Sequence, residues 1–340
     1  MLINEHENVP RQPFRELSRR PKAAIGPEAW LPLNGRKEPT YDLRSINGVY
    51  QMPKHNEEKI KKLIGTFKTR DDDVYICTYV KSGTTWTQQI ITLLLNQGEQ
   101  GDKGYSSVVP WLEGTTFDDP PIVDGEPFFK EVRGARAIGW TLEKIEAHPG
   151  RRFLKTHANL KNLPAGSAPG LKVIYVARNP KDVCVSLYHQ SINRGVFRFD
   201  GNVSDMMRCF VMGRCENGSW FDHVLEWWEA AQADPEHVLF LRYEDMCRQP
   251  EENIRKIADF VGIPHTPETI SKTVTQSSIS AMKQNPKANI HAKKNHLRKG
   301  GAGGWRDLFT VRESETFDKI YLEQMKGSSL KMDFGNGLEM

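Results

Sequence analysis

The chain has 340 residues, a hydrophobic content of 38% and a formal net charge of +4. This length and apolar content suffice for one large domain or two small ones, each with a buried core. The small net charge argues against a general nucleic-acid binder, although local basic clusters could still hold a phosphorylated ligand.

Other features of the composition argue against disulfides, metals and membranes. The five cysteines are widely spaced without a CxxC pair, which predicts reduced thiols and a cytoplasmic protein. The ten histidines form no HExxH pair, so no metal site is predicted. The sequence has neither the apolar core of a signal peptide at its N-terminus nor a run of about 18 apolar residues, so we expect no membrane segment.

The chain divides into an irregular start and a long globular part. Residues 1–45 contain six prolines and show no periodicity, which predicts an irregular N-terminal arm. Residues 46–335 alternate between strand-like and helix-like patterns, with no repeat and no linker. This alternation predicts one doubly wound α/β domain, in which helices flank a central parallel sheet.

The segment that begins near residue 73 predicts an anion-binding site. Val74–Tyr79 is a β-branched and aromatic run, typical of a buried parallel strand, and Trp86–Leu95 has helical spacing. The small residues Ser82–Thr85 lie between them, where backbone N–H groups and the positive end of a helix meet. Lys81 adds a full charge. An ordinary strand–turn–helix with a surface lysine is the alternative.

This loop differs from the loop that binds nucleoside triphosphates. In that motif four residues separate a glycine from a Gly-Lys-Ser/Thr ending. Here the lysine precedes the small residues, and no glycine lies between Gly65 and Gly83. The difference counts against a kinase, which would share the fold class. A binding protein without catalysis is a second alternative.

Three further apolar strands each end on side chains that could bind a ligand. In open parallel sheets the ligand crevice lies outside the carboxyl ends of the strands. We therefore expect Lys155 and His157, Arg178, and Tyr243 to surround one pocket together with Lys81, although a lone histidine after a strand is more often structural. The predicted strands are Arg152–His157, Leu171–Arg178 and Val238–Tyr243.

Two later segments favour phosphate binding. Pro180 suits the first turn of a helix, and Ser186 would lie about two turns within that helix. Arg298 and Lys299 precede glycines at positions 300, 301, 303 and 304, which predicts a flexible basic clamp. A nuclear-localisation or nucleic-acid patch is the alternative.

Together these segments resemble the cytosolic sulfotransferases over roughly residues 57–330. The first loop is similar to that family's 5′-phosphosulfate loop, Tyr-Pro-Lys-Ser-Gly-Thr-Thr-Trp, with Val80 in place of proline. The glycine-rich segment resembles its Arg-Lys-Gly-x-x-Gly-Asp-Trp pattern, with Gly304 in place of aspartate. Residues 155–157 match its catalytic Lys-Thr-His.

The resemblance implies a P-loop-NTPase-like fold and an enzyme that uses 3′-phosphoadenosine 5′-phosphosulfate (PAPS) without a metal. The product would be adenosine 3′,5′-bisphosphate (PAP), and the sulfuryl group would pass to a hydroxyl or amine of a small, apolar acceptor. His157 would be the general base, and Lys81 and Lys155 would stabilise the transferring group. The implied donor-binding residues are Lys81, Ser82, Gly83, Thr84, Thr85, Trp86, Arg178, Ser186, Tyr243, Ser277, Ile279, Met282, Leu297, Arg298, Lys299 and Gly300.

The acceptor side is less well specified. Residues 109–114 (VPWLEG) resemble the family's Val-Pro-Phe-Leu-Glu loop, so Trp111 is expected to form the floor of an acceptor pocket. Lys155, Thr156 and His157 would line that pocket. Phenols, steroids, other alcohols and amines all fit this pattern.

The resemblance also bears on base recognition, partners and location. Ile279 occupies an adenine-side position where the family usually has phenylalanine. The segment Arg306–Glu315 resembles the family's short dimerisation motif, which implies a homodimer. The membrane anchor of Golgi sulfotransferases is missing, so we expect a cytoplasmic enzyme with neither a nucleic-acid nor a membrane partner.

Overall fold

The computed structural model describes residues 37–118, 122–123, 126–127, 140–164, 167–290, 297–335, 337 and 339–340. Most of the predicted arm, residues 1–36, lies outside the described residues, so its irregular character stays a prediction. The remainder of the arm contacts the body. The Thr40 hydroxyl donates a hydrogen bond to Asp200, and the Tyr41 ring packs edge-on against Phe197. None of the described helices has the length and apolar character needed to cross a membrane.

Strands and helices are interspersed along the described part of the chain, but they do not strictly alternate: the five α-helices after β8 follow one another without a strand. The strands are β1 (Arg44–Ile46), β2 (Val49–Gln51), β3 (Val74–Thr78), β4 (Ile122–Val123), β5 (Glu126–Pro127), β6 (Phe153–Thr156), β7 (Lys172–Ala177) and β8 (Val238–Arg242). The helices are α1 (Glu57–Thr66), α2 (Thr84–Leu94), α3 (Tyr105–Val108), α4 (Leu142–Glu146), α5 (Pro180–Asn193), α6 (Val203–Val211), α7 (Trp220–Ala233), α8 (Tyr243–Arg248), α9 (Pro250–Val261), α10 (Pro267–Gln276), α11 (Ile279–Gln284) and α12 (Val311–Gln324).

A four-stranded parallel sheet forms the centre of the fold. Its strand order is β6-β3-β7-β8, and Val74 of β3 pairs with Phe153 on one side and Lys172 on the other. The chain therefore leaves β3 toward β6 and then crosses back to β7. Such a reversal opens a crevice at the carboxyl end of the strands, next to the loop that follows β3.

Helices cover both faces of this sheet. Tyr75 and Cys77 of β3 belong to one apolar cluster, to which α5, α6, α7 and α12 contribute. Val74 and Ile76 belong to a second cluster with α2, α9 and α10, because successive side chains of a strand point to opposite faces. All residues of β3 are buried, as expected of a parallel strand covered on both sides. The predicted doubly wound α/β fold is confirmed.

The predicted strand ends are displaced by one residue. Tyr79, His157, Arg178 and Tyr243 each follow the last residue of a strand rather than ending it. Their side chains are therefore carried by the residues that directly follow the strands at the crevice, and Tyr243 is also the first residue of α8. The antiparallel pairs β1–β2 and β4–β5 were not predicted, because each strand has only two or three residues.

Candidate active site

A cavity of about 660 Å³ lies where the segments after β3, β6, β7 and β8 meet. Its lining includes almost every residue that the sequence assigned to a ligand. These residues are Lys81, Gly83, Thr84, Thr85, Trp86, Trp111, Lys155, His157, Arg178, Ser186, Tyr243, Ser277, Ile279, Met282, Leu297, Arg298, Lys299 and Gly300. Ser82 and Thr156 are buried beside the cavity and do not line it.

The loop before α2 has the geometry of an anion site. Gly83 has φ +102° and a Cβ there would lie 2.8 Å from the Tyr243 ring, so only glycine fits this position without strain. No side chain caps α2 at Gly83, which leaves N–H groups of its first turn open to a ligand. Ser82 Oγ is buried without a hydrogen-bond partner among the described residues.

The two lysines of the site have unusual pKa values. The backbone of Lys81 is strained, and the side chain of Lys155 stacks on an aromatic ring. Burial lowers the pKa of Lys81 to about 7, helped by repulsion from Arg194. Lys81 also has φ +71°, a left-handed conformation that costs free energy in a residue other than glycine. Burial lowers the pKa of Lys155 to about 8, and its Nζ lies 4.1 Å from the centre of the Trp111 ring. A bound anion would favour the protonated form of both lysines.

The ring of His157 is held in one tautomer. Its Nδ1 lies 2.9 Å from the carbonyl oxygen of Thr78, and because a carbonyl only accepts, Nδ1 carries the hydrogen. Nε2 is therefore left with a lone pair that can accept a proton. Burial, and next the charge of Lys155, keep the pKa of His157 well below its usual value, so the ring is neutral at pH 7.

Glu113 fixes the segment that carries His157, and it was not predicted to have a role. Its Oε1 accepts hydrogen bonds from Thr156 Oγ1 at 2.6 Å and from the His157 backbone N–H at 2.8 Å. Burial raises the pKa of this carboxyl group, and these two hydrogen bonds lower it in part. The Thr156 hydroxyl thus points to Glu113 and positions its neighbours instead of lining the acceptor pocket. The only sequence signal for a role of Glu113 was its position as an acidic residue within the apolar VPWLEG segment.

Arg178 joins the two loops that were predicted to bind phosphate. Its guanidinium donates to the carbonyl oxygens of Lys81 and Gly301 and lies 4.5 Å from the centre of the Tyr243 ring. Its Nε is buried without a partner in the described part of the chain. One N–H donor of Arg178 is therefore available beside the cavity.

The glycine-rich loop is held in place by Asp182, which lies in the first turn of α5. The Asp182 carboxylate accepts hydrogen bonds from the backbone N–H of Gly303 at 2.7 Å and of Trp305 at 2.9 Å. Gly304 lies between these two residues, where the family pattern has an aspartate. An acidic group from a neighbouring helix therefore fixes the backbone of this loop.

Aromatic and apolar side chains line the cavity next to these phosphate-binding groups. The rings of Trp86 and Tyr243 meet edge-on at 5.4 Å. Ile279 lies against the backbone of Gly300, where a Cβ would approach it to 3.2 Å. Lys299 forms an ion pair with Asp307, and both side chains are largely exposed.

Gln190, Arg194 and Glu216 are among the polar residues of the lining that the sequence analysis missed. Gln190 and Arg194 follow Ser186 at four-residue intervals in the sequence, which places Ser186 and Gln190 on one side of α5 and Arg194 just beyond its end. That periodicity was the available signal. Glu216 lies in a turn and carried no signal at all.

Comparison with known proteins identifies the family. The sulfotransferase domain family matches residues 71–329. Sulfotransferase 1B1 of Canis lupus familiaris is 36% identical over 281 residues, which is 79% of this chain and 88% of the relative.

Two solved structures are similar over most of their length. Mouse sulfotransferase SULT7A1 complexed with PAP has a TM-score of 0.66 at 28% identity and covers 84% of this chain and 96% of its own. Retinol dehydratase in a complex with retinol and PAP has a TM-score of 0.70 at 26% identity, with 84% and 89% covered. The chain belongs to the sulfotransferase family and is an enzyme that transfers sulfuryl groups.

Proposed function

We propose that the enzyme transfers the sulfuryl group of PAPS in line to a hydroxyl or amine of a small acceptor, with His157 as general base. The observation that carries the proposal is the neutral His157, with its Nε2 lone pair, in one cavity with Lys81 and Lys155. A proton acceptor and two cations are the groups that transfer of a sulfuryl group to a hydroxyl requires.

The lining suits the two ends of PAPS. The uncapped start of α2 and the charge of Lys81 suit the 5′-phosphosulfate. Arg178, Ser186 and the Arg298–Gly300 segment suit the 3′-phosphate. Trp86, Tyr243 and Ile279 would contact the adenine. The similarity to PAP-bound structures supports this orientation.

Each catalytic side chain has a defined task in this proposal. His157 Nε2 removes the proton of the acceptor hydroxyl as the oxygen attacks sulfur. Lys155 and Lys81 stabilise the negative charge that builds up as the sulfur–oxygen bond to the 5′-phosphate breaks. PAPS supplies the sulfuryl group and leaves as PAP. Glu113 holds the His157 backbone and thereby fixes the position of the base.

The decisive experiment follows transfer of radiolabelled sulfate from PAPS to a panel of phenols, alcohols, steroids and amines, without added metal and with EDTA. Labelled product from at least one acceptor class is expected. A thermal-shift titration accompanies it, in which PAP but not ATP with magnesium should stabilise the protein. Stabilisation by ATP-magnesium alone, with no sulfated product, would favour a kinase instead.

We also propose a cytoplasmic location and a homodimer through Arg306–Glu315. The five cysteines form no disulfide, which suits a reducing compartment. In the dimer segment, Thr310 caps α12 and the next residue, Val311, is 76% exposed. An apolar side chain so exposed at a helix start is suited to contact a second copy.

A further inference from the structure

One wall of the cavity carries a positive charge that the proposed donor leaves unused. Ser186 and Gln190 of α5, and Arg194 directly after the end of that helix, line the cavity at four-residue intervals. With a rise of 1.5 Å per residue, Arg194 lies about 12 Å along the helix from Ser186. Ser186 is assigned to the 3′-phosphate. Arg194 therefore lies at the far end of this wall from that phosphate.

The contacts of Glu216 and of its neighbour place the Arg194 end of this wall beside His157. Its side chain is only 4% exposed, and its Oε2 accepts a hydrogen bond from Gln190 Nε2 at 2.5 Å. The next residue, Asn217, donates from Nδ2 to the carbonyl oxygen of His157 at 3.2 Å. The turn that contains Glu216 is also fixed by the residue after β3, because the Tyr79 hydroxyl donates a hydrogen bond to the Gly218 carbonyl oxygen at 2.8 Å. Glu216 is thus fixed in the acceptor half of the cavity.

Positive charge exceeds negative charge in this half of the cavity. Burial raises the pKa of Glu216, and the cations Arg194, Lys81 and Lys155 all lower it. Burial lowers the pKa of Arg194, and Glu216 is the main charge that offsets this. No salt bridge joins Arg194 to a carboxylate of the described residues. The donor's sulfuryl end accounts for the two lysines. Glu216 then faces the Arg194 guanidinium without a salt bridge and also accepts a hydrogen bond from Gln190, so a ligand anion can still pair with Arg194.

A second part of the lining, beside the base, forms an apolar wall. Met52, Trp111 and Phe117 line the same cavity, and the Trp111 ring lies edge-on to His157 with 5.8 Å between the ring centres. A carbon skeleton can pack against this wall and reach the base at one end and the Arg194 end of the cavity at the other.

We propose that the acceptor has an apolar body, a hydroxyl that reaches His157, and a carboxylate that pairs with Arg194. Guanidinium binds carboxylate through two parallel hydrogen bonds and has further donors, so Glu216 can remain beside it. This inference rests on the proposed function, which names no charge on the acceptor.

The test compares matched acceptors that differ only in that charge. Each pair consists of a hydroxylated acid and its carboxamide, for example 3-(4-hydroxyphenyl)propionate and its amide, with steroid and aliphatic pairs of the same design. With radiolabelled PAPS, the wild type should show a higher kcat/KM for the acid in the pair that fits best. Arg194→Gln should reduce the acid-to-amide ratio of kcat/KM by about 10- to 150-fold, the range for one charge-assisted hydrogen bond. Arg194→Lys should retain part of the acid-to-amide ratio, since lysine keeps the positive charge but loses the two parallel hydrogen bonds of a guanidinium.

The control is Arg255→Gln, because Arg255 is an exposed arginine of α9 that pairs with Glu251 and does not line the cavity. It should leave both the ratio and the rate unchanged. Equal use of acid and amide by the wild type, or an unchanged ratio in Arg194→Gln, would overturn the inference while sulfation itself stands. If the wild type sulfates acceptors of the wider panel but no member of any pair, the inference alone is overturned. If it sulfates neither, the proposed function fails and the inference falls with it.

Discussion

At the scale of single residues, the site depends on burial that changes ordinary acid–base behaviour. His157 is kept neutral by burial and by the charge of Lys155, and its Nδ1 hydrogen is committed to Thr78. The same burial lowers the pKa of Lys81 and Lys155 toward neutrality. One desolvated environment therefore produces both a base that is ready to accept a proton and cations that respond to an anion.

His157→Ala should lower turnover by about 10²- to 10⁴-fold, the contribution of a general base. Donor binding should persist, because the phosphate-binding groups lie on other segments. Turnover with saturating PAPS and titration calorimetry with PAP measure the two effects. His265→Ala serves as the control, because the His265 ring contacts the Ile263 carbonyl oxygen and has no role in the cavity. A variant that retained more than about a tenth of the wild-type rate would assign the base to another residue.

PAP binding should take up protons at pH 8. In the free cavity the pKa values of Lys81 and Lys155 are about 7 and about 8, so at pH 8 part of their charge is absent. A bound phosphate raises both pKa values, and the phosphates themselves are already ionised because their second pKa is near ~6. The affinity should therefore fall as the pH rises from 7 to 9.

Titration calorimetry at pH 8 in Tris and in HEPES measures this uptake, because the two buffers differ in ionisation enthalpy. Lys81→Arg should reduce the uptake, since arginine stays protonated. Identical apparent enthalpies in the two buffers would contradict the assignment of these lysines to the anion.

At the scale of elements, the start of α2 combines the backbone features of the site. Gly83 provides a left-handed residue, a close approach to Tyr243 and an uncapped helix terminus in one position. The 11-residue helix behind it directs its positive end at the cavity. The backbone geometry of the loop therefore suits an anion, in keeping with the proposed 5′-phosphosulfate site.

Gly83→Ala should lower the free energy of unfolding by about 1–3 kcal/mol and weaken PAP binding, because the new Cβ meets the Tyr243 ring in an unfavourable backbone conformation. Urea denaturation and calorimetry measure the two quantities. Gly65→Ala is the matched control: it lies within α1, where a Cβ would meet open space, and it should stabilise the protein by about 0.5–1 kcal/mol. Equal stability of Gly83→Ala and the wild type would show that the loop tolerates a side chain.

The sequence predicts the central strands and the charged residues after them, because parallel strands are continuous apolar runs and their ends share one edge. Lys81, His157 and Arg178 could be found in this way. Glu113 could not, since its contact with His157 joins residues 44 positions apart through a tertiary hydrogen bond. The pairing of Gln190 with Glu216 depends in the same way on how α5 meets the turn before α7.

At the scale of the whole molecule, two exposed apolar residues on α12 test the proposed homodimer. Val311 is 76% exposed within the Arg306–Glu315 segment, and Leu322 is 59% exposed near the other end of the helix. Both are free to meet a second copy, but only the first belongs to the motif. They therefore form a matched pair on one helix.

Val311→Glu should convert a dimer into a monomer, because a charge would be buried against the second copy. Light scattering coupled to size-exclusion chromatography at micromolar concentration measures the mass. Leu322→Glu should leave the dimer intact. A monomeric wild type, or a dimer that persists in Val311→Glu, would remove Arg306–Glu315 from the interface.

The residues that line the cavity extend from Met52 to Gly304 in the sequence. Because of this spread, ligand occupancy affects how long the protein stays folded. All four central strands must be in place before the cavity exists, so a nucleotide that fits it binds the native state alone. By mass action, a ligand at 100 times its Kd adds about 2.7 kcal/mol to the free energy of unfolding. The nucleotide supply should therefore set how long the enzyme survives proteolysis, and the molecules that are degraded first should be those that have no donor or product bound.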